Sequence, residues 1–386
     1  MPTFASALSL HPNAFEAAAE CAGDLLEGLA GERPDLAVVF ASPHHLDAFG
    51  DLTTGLRKLL EADVVIGSTA AGVAGGPHEI EDGPALSVFA ADWGGGHARP
   101  IALDSFPTTD GFRIDGWADD APADGTLLLL ADPMTFPVGD FLHLANGHLS
   151  DLTVIGGLAS GPGPDVRCLL SVDNDVRDRG AVGVLLDSSV QVEAVVSQGC
   201  RPIGQPFTVT RSERNVVHEL AGRPPLERLR AVVEQLDDHD QELVRRGLHV
   251  GVVIDEHVVD FRPGDFLVRN LIGADESSGA IAVGDIVEIG QTVQFHVRDA
   301  DSADRELQRL IAGAETGTRS ADFGAMLFTC TGRGQRLFGR PHHDAATIED
   351  CLGRTPLAGM FCSGEIGPVG GRHFLHGYTA SVALFS

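Results

Sequence analysis

Three stretches of the chain share one pattern: an apolar strand, a helix-like segment, and a second apolar strand that ends in a turn of small residues. The first strands are Leu36–Ser42, Leu127–Pro133 and Ala325–Gly334. The second strands with their turns are Val64–Gly72, Thr153–Gly161 and Leu357–Gly367. A third strand follows in each stretch, at Ala85–Ala90, Ala181–Leu186 and Thr379–Phe385. Uninterrupted apolar runs of this length are typical of strands buried on both faces.

This pattern predicts how the strands pair. Two strands joined through a helix are expected to be parallel, with a right-handed crossover, and a glycine-containing return favours an antiparallel third strand. We therefore predict an α/β fold of mixed α+β character, in which repeated strand–helix–strand units form mixed sheets covered by helices. Chance similarity among apolar strands is the alternative to a true structural repeat.

The chain after residue 200 has a different pattern. A strand-like segment from Arg201 precedes an amphipathic helical region that begins at a proline. A strand at His249–His257 follows, and the β-rich stretch Phe266–Asp299 is typical of a strand meander. A helix at Asp301–Ala314 then leads into the third unit. We predict two intimately associated domains, residues 1–200 and 201–386.

The charge of the chain argues against several classes of partner. Its 27 basic and 55 acidic residues give a net charge of −28, which repels phosphate backbones and anionic membrane surfaces. No apolar run approaches the roughly 20 residues of a membrane helix, and the N-terminus lacks the features of a signal peptide. The six cysteines contain no CxxC pair. We therefore expect a cytoplasmic protein with reduced thiols, without nucleic-acid binding or membrane insertion.

The small-residue turn at Gly67–Gly76 is one candidate ligand contact. Small side chains at a strand end let a ligand approach backbone N–H groups, so Ser68 is a candidate ligand-binding residue. The turn lacks both the P-loop order and the dinucleotide fingerprint. A tight turn that needs positive φ angles is the structural alternative.

The third unit provides further candidates, because crossovers bring the carboxyl ends of parallel strands to one edge of a sheet. The candidate ligand-binding residues there are Cys330, Arg333, Cys362, Ser363 and Glu365. Arg333 offers a planar fork for a carboxylate or phosphate, and Glu365 offers an acceptor for an amine. Alternatively, the cysteines are buried small hydrophobes, and Arg333 and Glu365 form one internal ion pair.

The equivalent positions in the repeated pattern predict that the strand-end loops at Ser42, Ser68, Cys330 and Cys362 surround one cavity. Arg269 and Asn270 place a charge and an amide inside an apolar strand. Because a buried, unpaired arginine is costly, these residues are either paired structurally or in contact with a ligand.

Histidine pairs at positions 44–45 and 342–343 lack the HxxxH and HExxH spacings of metal sites. Exposed loop histidines are therefore expected, together with a colourless, metal-free protein.

Several segments in this order resemble the FIST family. They are RPIG at Arg201–Gly204, FLVRNLIGAD at Phe266–Asp275, CTGRG at Cys330–Gly334 and FCSGEIGPVG at Phe361–Gly370. The N-terminal VVFAS and VIGSTAAG segments are similar to the family as well. The resemblance implies tandem FIST N and FIST C domains, which are considered a small-ligand sensory module. Amino acids have been proposed as ligands, and family members are often attached to signalling output domains or an F-box.

One subset of the family binds haem and senses nitric oxide, but no axial-ligand motif matches a residue of this chain. We therefore expect no cofactor. The chain ends without a recognisable output segment, so the resemblance implies a stand-alone sensory protein that acts through a separate signalling-output protein. Two alternatives stay open. One is an enzyme that uses Cys330 or Cys362 with a histidine, and the other is a haem-based nitric oxide sensor.

Overall fold

The computed structural model describes residues 2–109, 111–117, 122, 124–161, 163, 167–258, 260–261, 264–314 and 323–386. The chain forms two compact units. The main domain comprises Met1–Val196 with Leu307–Ser386, and the barrel domain comprises Ser197–Glu306. The barrel domain is therefore an insertion in the chain of the main domain. The sequence division at residue 200 stays a prediction, and the compact units follow a different division because the last eighty or so residues pack with the N-terminal half.

The strands before the barrel domain are β1 (Thr3–Ser9), β2 (Leu36–Ala41), β3 (Val64–Thr69), β4 (Val73–Gly75), β5 (His78–Ile80), β6 (Leu86–Asp92), β7 (Ala98–Thr108), β8 (Gly111–Asp115), β9 (Gly125–Ala131), β10 (Leu152–Leu158), β11 (Leu170–Val172), β12 (Asp175–Arg177), β13 (Ala181–Leu186) and β14 (Val192–Gln198). The barrel strands are β15 (Cys200–Glu213), β16 (Val216–Leu220), β17 (Leu248–Val253), β18 (Phe266–Ala274), β19 (Ile281–Val283) and β20 (Thr292–Arg298). The last strands are β21 (Gly324–Cys330), β22 (Leu357–Cys362), β23 (Glu365–Val369), β24 (Arg372–His376) and β25 (Thr379–Phe385).

The helices are α1 (Ala14–Gly28), α2 (Phe49–Leu60), α3 (Val138–His148), α4 (Pro225–Val233), α5 (Asp238–Arg246), α6 (Ala300–Gly313), α7 (Gln335–Phe338) and α8 (His343–Leu352). A 3-10 turn covers Pro43–Ala48. None of the helices in the described part of the chain is long and apolar enough to cross a membrane.

The main domain contains three sheets with equivalent strand orders. These orders are β1-β6-β2-β3-β11-β12, β8-β7-β13-β9-β10-β23-β24 and β14-β25-β21-β22-β4-β5. The predicted parallel pairs are confirmed as β2–β3, β9–β10 and β21–β22. The predicted antiparallel third strands are confirmed as β6, β13 and β25. We call the three sets of strands modules: the first is β1–β6, the second β7–β13, and the third β14 with β21–β25.

Each sheet is completed by a hairpin from another module. The β4–β5 hairpin of the first module pairs with β22 of the third, where Gly359 faces Ala74. The β11–β12 hairpin of the second module pairs with β3 of the first. The β23–β24 hairpin of the third module pairs with β10 of the second. The three modules therefore form a closed cycle of hairpin exchange.

The inner faces of the three sheets share one core. Phe40 of β2 and Phe328 of β21 meet edge to face with 6.0 Å between ring centroids, and Leu130 of β9 belongs to the same buried cluster. The helices cover the outer faces: α1 and α2 the first sheet, α3 the second, and α6 with α8 the third. This arrangement is the mixed α/β fold expected from the sequence.

The barrel domain is a closed antiparallel barrel with the strand order β15-β16-β19-β18-β17-β20. The predicted meander over Phe266–Asp299 is wrong, because β20 pairs with β15 and β17 and does not lie beside β19. The helical region does begin at a proline, Pro225. It consists of two helices, because Asp237 adopts an extended conformation and caps α5 with its side chain.

We predict that Gly359→Ala destabilises the main domain by about 1–3 kcal/mol, because a Cβ at this position would lie 2.2 Å from the Leu327 carbonyl oxygen. Chemical denaturation measures the loss. Gly23→Ala on α1 is the matched control, since its Cβ would meet nothing within 4 Å and should stabilise the helix by about 0.5–1 kcal/mol. Equal effects of the two substitutions would contradict the tight packing at the β21–β22 pair.

Candidate functional site

A cavity of about 960 Å³ lies in the main domain. Residues that follow the carboxyl ends of all six parallel strands line it: Pro43 and His44 after β2, Ala71 and Gly72 after β3, Asp132, Pro133 and Met134 after β9, Gly161 and Gly163 after β10, Thr331 and Arg336 after β21, and Ser363 after β22. Glu81, Asp82, Gly83, Cys168 and Phe361 complete the lining. The loops that follow Ser42, Ser68, Cys330 and Cys362 thus surround one cavity.

Ser160 joins the three modules at the wall of this cavity. Its Oγ accepts a hydrogen bond from the Ala71 N–H at 2.8 Å and donates one to the Phe361 carbonyl oxygen. The Phe361 N–H in turn donates to the Gly72 carbonyl oxygen at 2.9 Å. Sequence reasoning missed Ser160, although it lies in the small-residue turn after the second strand of the second module.

The cavity lining carries charges of both signs. Among the described lining residues, the carboxylates are Glu81, Asp82 and Asp132, and the guanidinium is Arg336. Glu81 is oriented by the Gln335 N–H, which donates to its Oε1 at 2.8 Å. Arg336 is exposed and forms no ion pair with any residue that the structure describes. The wall can therefore contact an anionic group at one point and a cationic group at others.

Of the residues predicted for the third unit, only Ser363 lines the cavity. Ser68 is fully buried, and its hydroxyl donates to the Thr69 carbonyl oxygen at 2.9 Å. Cys330, Cys362 and Glu365 are buried behind the strand ends. Arg336, which was not predicted from the sequence, lies on α7, three residues after the predicted Arg333.

Arg333 does not line the cavity, contrary to expectation. The side chain is fully buried, and its fork binds Asp344 of α8 in a bidentate ion pair, with Nε–Oδ2 at 2.7 Å and Nη2–Oδ1 at 2.8 Å. Burial opposes ionisation of Asp344, but the charge and hydrogen bonds of Arg333 outweigh it and hold the pKa of this carboxyl well below its usual range. Arg333 therefore does form an internal ion pair, and the acidic partner of its bidentate contact is Asp344.

The ion pair also fixes the short helix α7. The guanidinium of Arg333 lies 5.2 Å from the ring centroid of Phe338 at the end of α7. Phe338 stacks on His343, whose Nδ1 is 3.0 Å from Asp344 Oδ1. Because α7 carries Arg336, this closed set of contacts positions the arginine of the cavity lining.

Two further carboxyl groups lie near the buried pair. Burial raises the pKa of Glu365 to about 8, although hydrogen bonds from the Thr379 Oγ1 at 2.8 Å and N–H at 3.1 Å oppose the shift. Burial and the charge of Asp344 raise the pKa of Glu79 to about 8 as well. One guanidinium thus neutralises one of three carboxyl groups, and the other two are mainly protonated at neutral pH.

The alternative of a cysteine enzyme requires an activated thiol. Burial and the nearby carboxyl group of Glu365 raise the pKa of the Cys362 thiol well above its usual range. A thiolate at Cys362 is therefore disfavoured at neutral pH.

Arg269 and Asn270 belong to the barrel domain. Arg269 Nε lies 2.7 Å from Asp285 Oδ2, so the structural pairing considered for this arginine is present. Asn270 is exposed, and its backbone carbonyl oxygen accepts from the Gly284 N–H at 2.8 Å. Within the described residues, no group of three or more His, Cys, Asp and Glu side chains could hold a metal ion.

We predict that Arg333→Ala and Asp344→Ala each destabilise the protein by about 3–5 kcal/mol, because each leaves a buried charge without its partner. Urea denaturation measures the loss. The double variant should recover part of it. Arg223→Ala, which removes an exposed pair with Glu227, is the control and should cost about 0.3–0.5 kcal/mol. Additive losses in the double variant would contradict a direct pair.

We also predict a pH dependence of stability from the buried glutamates. Since the pKa of Glu365 is raised to about 8 in the folded state, the folded protein holds a proton that the unfolded chain releases near the ordinary glutamate pKa of 4.5. Its contribution to the free energy of unfolding is complete below pH 4.5 and is lost as the pH rises through 8.

Glu365→Gln should remove this loss, so the wild type should weaken relative to the variant across this pH range. Urea denaturation at several pH values measures the difference between the two proteins. Glu16→Gln, the same substitution at an exposed position on α1, is the control. Parallel profiles of wild type and Glu365→Gln would refute the buried proton.

Two family models match the chain in tandem. The FIST N domain matches residues 35–223, and the FIST C domain matches residues 225–368. The uncharacterized protein Rv0628c of Mycobacterium tuberculosis is 46% identical over 378 residues, which cover 98% of both chains. The uncharacterized protein Mb0898c of Mycobacterium bovis is 44% identical over 374 residues, 97% of this chain and 96% of its own. FIST domains are associated with small-ligand sensing and signal transduction. The chain therefore belongs to the FIST family.

Proposed function

We propose that this protein is a sensory protein that binds a polar small molecule in the strand-end cavity of the main domain. The observation that carries the proposal is the convergence of six strand-end loops on one space of about 960 Å³. Ligand sites of α/β proteins commonly lie at the carboxyl ends of parallel strands, and pockets of this size suit small molecules.

The charges of the lining suit an amino-acid-like ligand. Arg336 offers five N–H donors in a planar fork that matches a carboxylate. Glu81, Asp82 and Asp132 offer acceptors for an ammonium group. The three modules each contribute to the lining, so a bound ligand would contact all of them at once.

A sensor of this kind needs an output. We propose that a separate signalling-output protein responds to the liganded state, and that both act in the cytoplasm, where the six cysteines stay reduced. The net charge of −28 argues against a nucleic-acid partner. We further propose that no cofactor takes part. A stoichiometric Soret band in the purified protein would instead favour the haem-based gas sensor.

The variant Arg336→Gln tests the ligand site. Native mass spectrometry of the purified protein and a thermal-shift screen of amino acids identify the ligand. We predict that Arg336→Gln then weakens its affinity tenfold to a hundredfold, since a lost charge-assisted contact costs about 1.5–3 kcal/mol. The melting temperature without ligand should stay unchanged, because Arg336 is exposed.

Arg340→Gln is the matched control, because Arg340 is exposed and lies outside the cavity lining. It should bind the ligand as the wild type does. Equal affinities of the wild type and Arg336→Gln would place the ligand elsewhere.

A further inference from the structure

We propose that Cys330 and Cys362 form an oxidant-sensitive dithiol, which closes to an intramolecular disulfide when a hydroperoxide enters the cavity. The pair is a modification site behind the cavity wall, and it goes beyond the proposed ligand binding.

The backbone places the two thiols opposite each other. Cys330 and Cys362 are the last residues of the parallel strands β21 and β22, and they are partners in the strand register. Neighbouring strands are about 4.7–4.9 Å apart, which lies within the Cα separation of about 4.4–6.8 Å found in disulfides. Strand pairing therefore brings the two Cα atoms within the range of a disulfide.

The two side chains also point to the same side of the sheet. Side chains alternate along a strand, so Cys330 shares a face with Phe328, and Cys362 shares a face with Met360. Phe328, Met360 and Cys362 all belong to the shared core of the three sheets. The neighbouring Cys330 thiol contributes to the raised pKa of Cys362, as expected for two thiols in close proximity.

The surroundings of the pair distinguish the two thiols. Cys330 is 8% exposed, whereas Cys362 is fully buried. Thr331, the next residue after Cys330, lines the cavity. The Gly332 N–H donates to the Cys330 Sγ at 3.5 Å. Cys330 is therefore the thiol that a small oxidant reaches first.

Glycine at position 157 makes room for the second thiol. A Cβ at this position would lie 2.4 Å from the Cys362 Sγ, so only glycine leaves space for the thiol against β10. The Cys362 Sγ contacts the Met360 carbonyl oxygen at 3.6 Å. Because the Cys362 Sγ lies beside Cys330, it can attack the sulfur of Cys330 once that sulfur is oxidised.

The chemistry balances with a hydroperoxide as oxidant. The sulfur of Cys330 attacks the terminal peroxide oxygen, the O–O bond breaks, and an alcohol leaves (water, in the case of hydrogen peroxide). Cys330 is then a sulfenic acid. The Cys362 sulfur attacks the sulfenic sulfur, and its proton leaves with the hydroxyl group as water. Two thiols are oxidised to one disulfide, and one peroxide is reduced.

The disulfide would join the starts of two cavity loops. Thr331 follows Cys330, Ser363 follows Cys362, and both lining residues would then be tied through a covalent bond. Oxidation therefore acts on the geometry of the cavity directly.

Hydrogen peroxide treatment of the folded, reduced protein tests the proposal. Free thiols are then blocked by alkylation, and the intact mass and the peptide map are determined. We expect the loss of two hydrogen atoms and a peptide pair linked through Cys330 and Cys362, both reversed by a dithiol reductant. Cys351→Ser, which removes the exposed cysteine, and Cys168→Ser, which removes the cysteine of the cavity lining, should leave this product unchanged.

In Cys362→Ser, Cys330 should accumulate as the sulfenic acid, which a dimedone-type reagent traps. If this variant fails to fold, the peptide map of the wild type still shows whether Cys330 and Cys362 form the disulfide. Alkylation of both cysteines after peroxide treatment, a disulfide between other cysteines, or independent overoxidation of each thiol would each overturn the proposal. A result that overturns the disulfide does not bear on the proposed ligand site, because Arg336 takes no part in the thiol chemistry.

Discussion

The cavity depends on the buried ion pair between Arg333 and Asp344. Two desolvated charges are tolerated in a protein interior only with close geometry and further hydrogen bonds. Both conditions hold here, since the pair is bidentate and the Thr329 Oγ1 donates to Asp344 Oδ2 at 2.7 Å. Because the pair connects the loop after β21 to α8, it also sets the position of α7 between them. The part of the wall that α7 contributes therefore rests on an ion pair whose two residues are not among the lining residues of the cavity.

Much of the fold was predictable from the sequence. Buried parallel strands are nearly continuous apolar runs, and strands joined through a helical crossover are usually parallel, so all three parallel pairs could be predicted. The exchange of hairpins between modules could not be predicted from the sequence. The strand β4 is only Val73–Gly75, and its partner β22 begins at Leu357. A strand of three residues has no periodicity, and nothing local specifies so distant a partner.

The candidate site was predictable only in outline. The convergence of the strand-end loops follows from topology, and this part of the prediction needed no side chains. Which side chain of a loop faces the cavity depends on tertiary contacts. The CTGRG segment drew attention to Arg333, yet its partner Asp344 lies on a helix whose orientation the sequence does not specify. The same contact turns Arg333 inward and leaves Arg336 at the cavity, so both outcomes have one cause.

The closed cycle of hairpin exchange has a consequence for synthesis on the ribosome. The β4–β5 hairpin is among the first segments to emerge, but β22, with which it pairs, is among the last. The first sheet is complete only after β11 and β12 have been synthesised, and the second sheet only after β23 and β24. The hairpin of the first module thus leaves the ribosome long before its partner strand, whereas the hairpins of the second and third modules find β3 and β10 already synthesised. The six barrel strands in the described part of the chain pair among themselves. The nascent chain can therefore complete the first sheet and the inserted domain before the second and third sheets are whole.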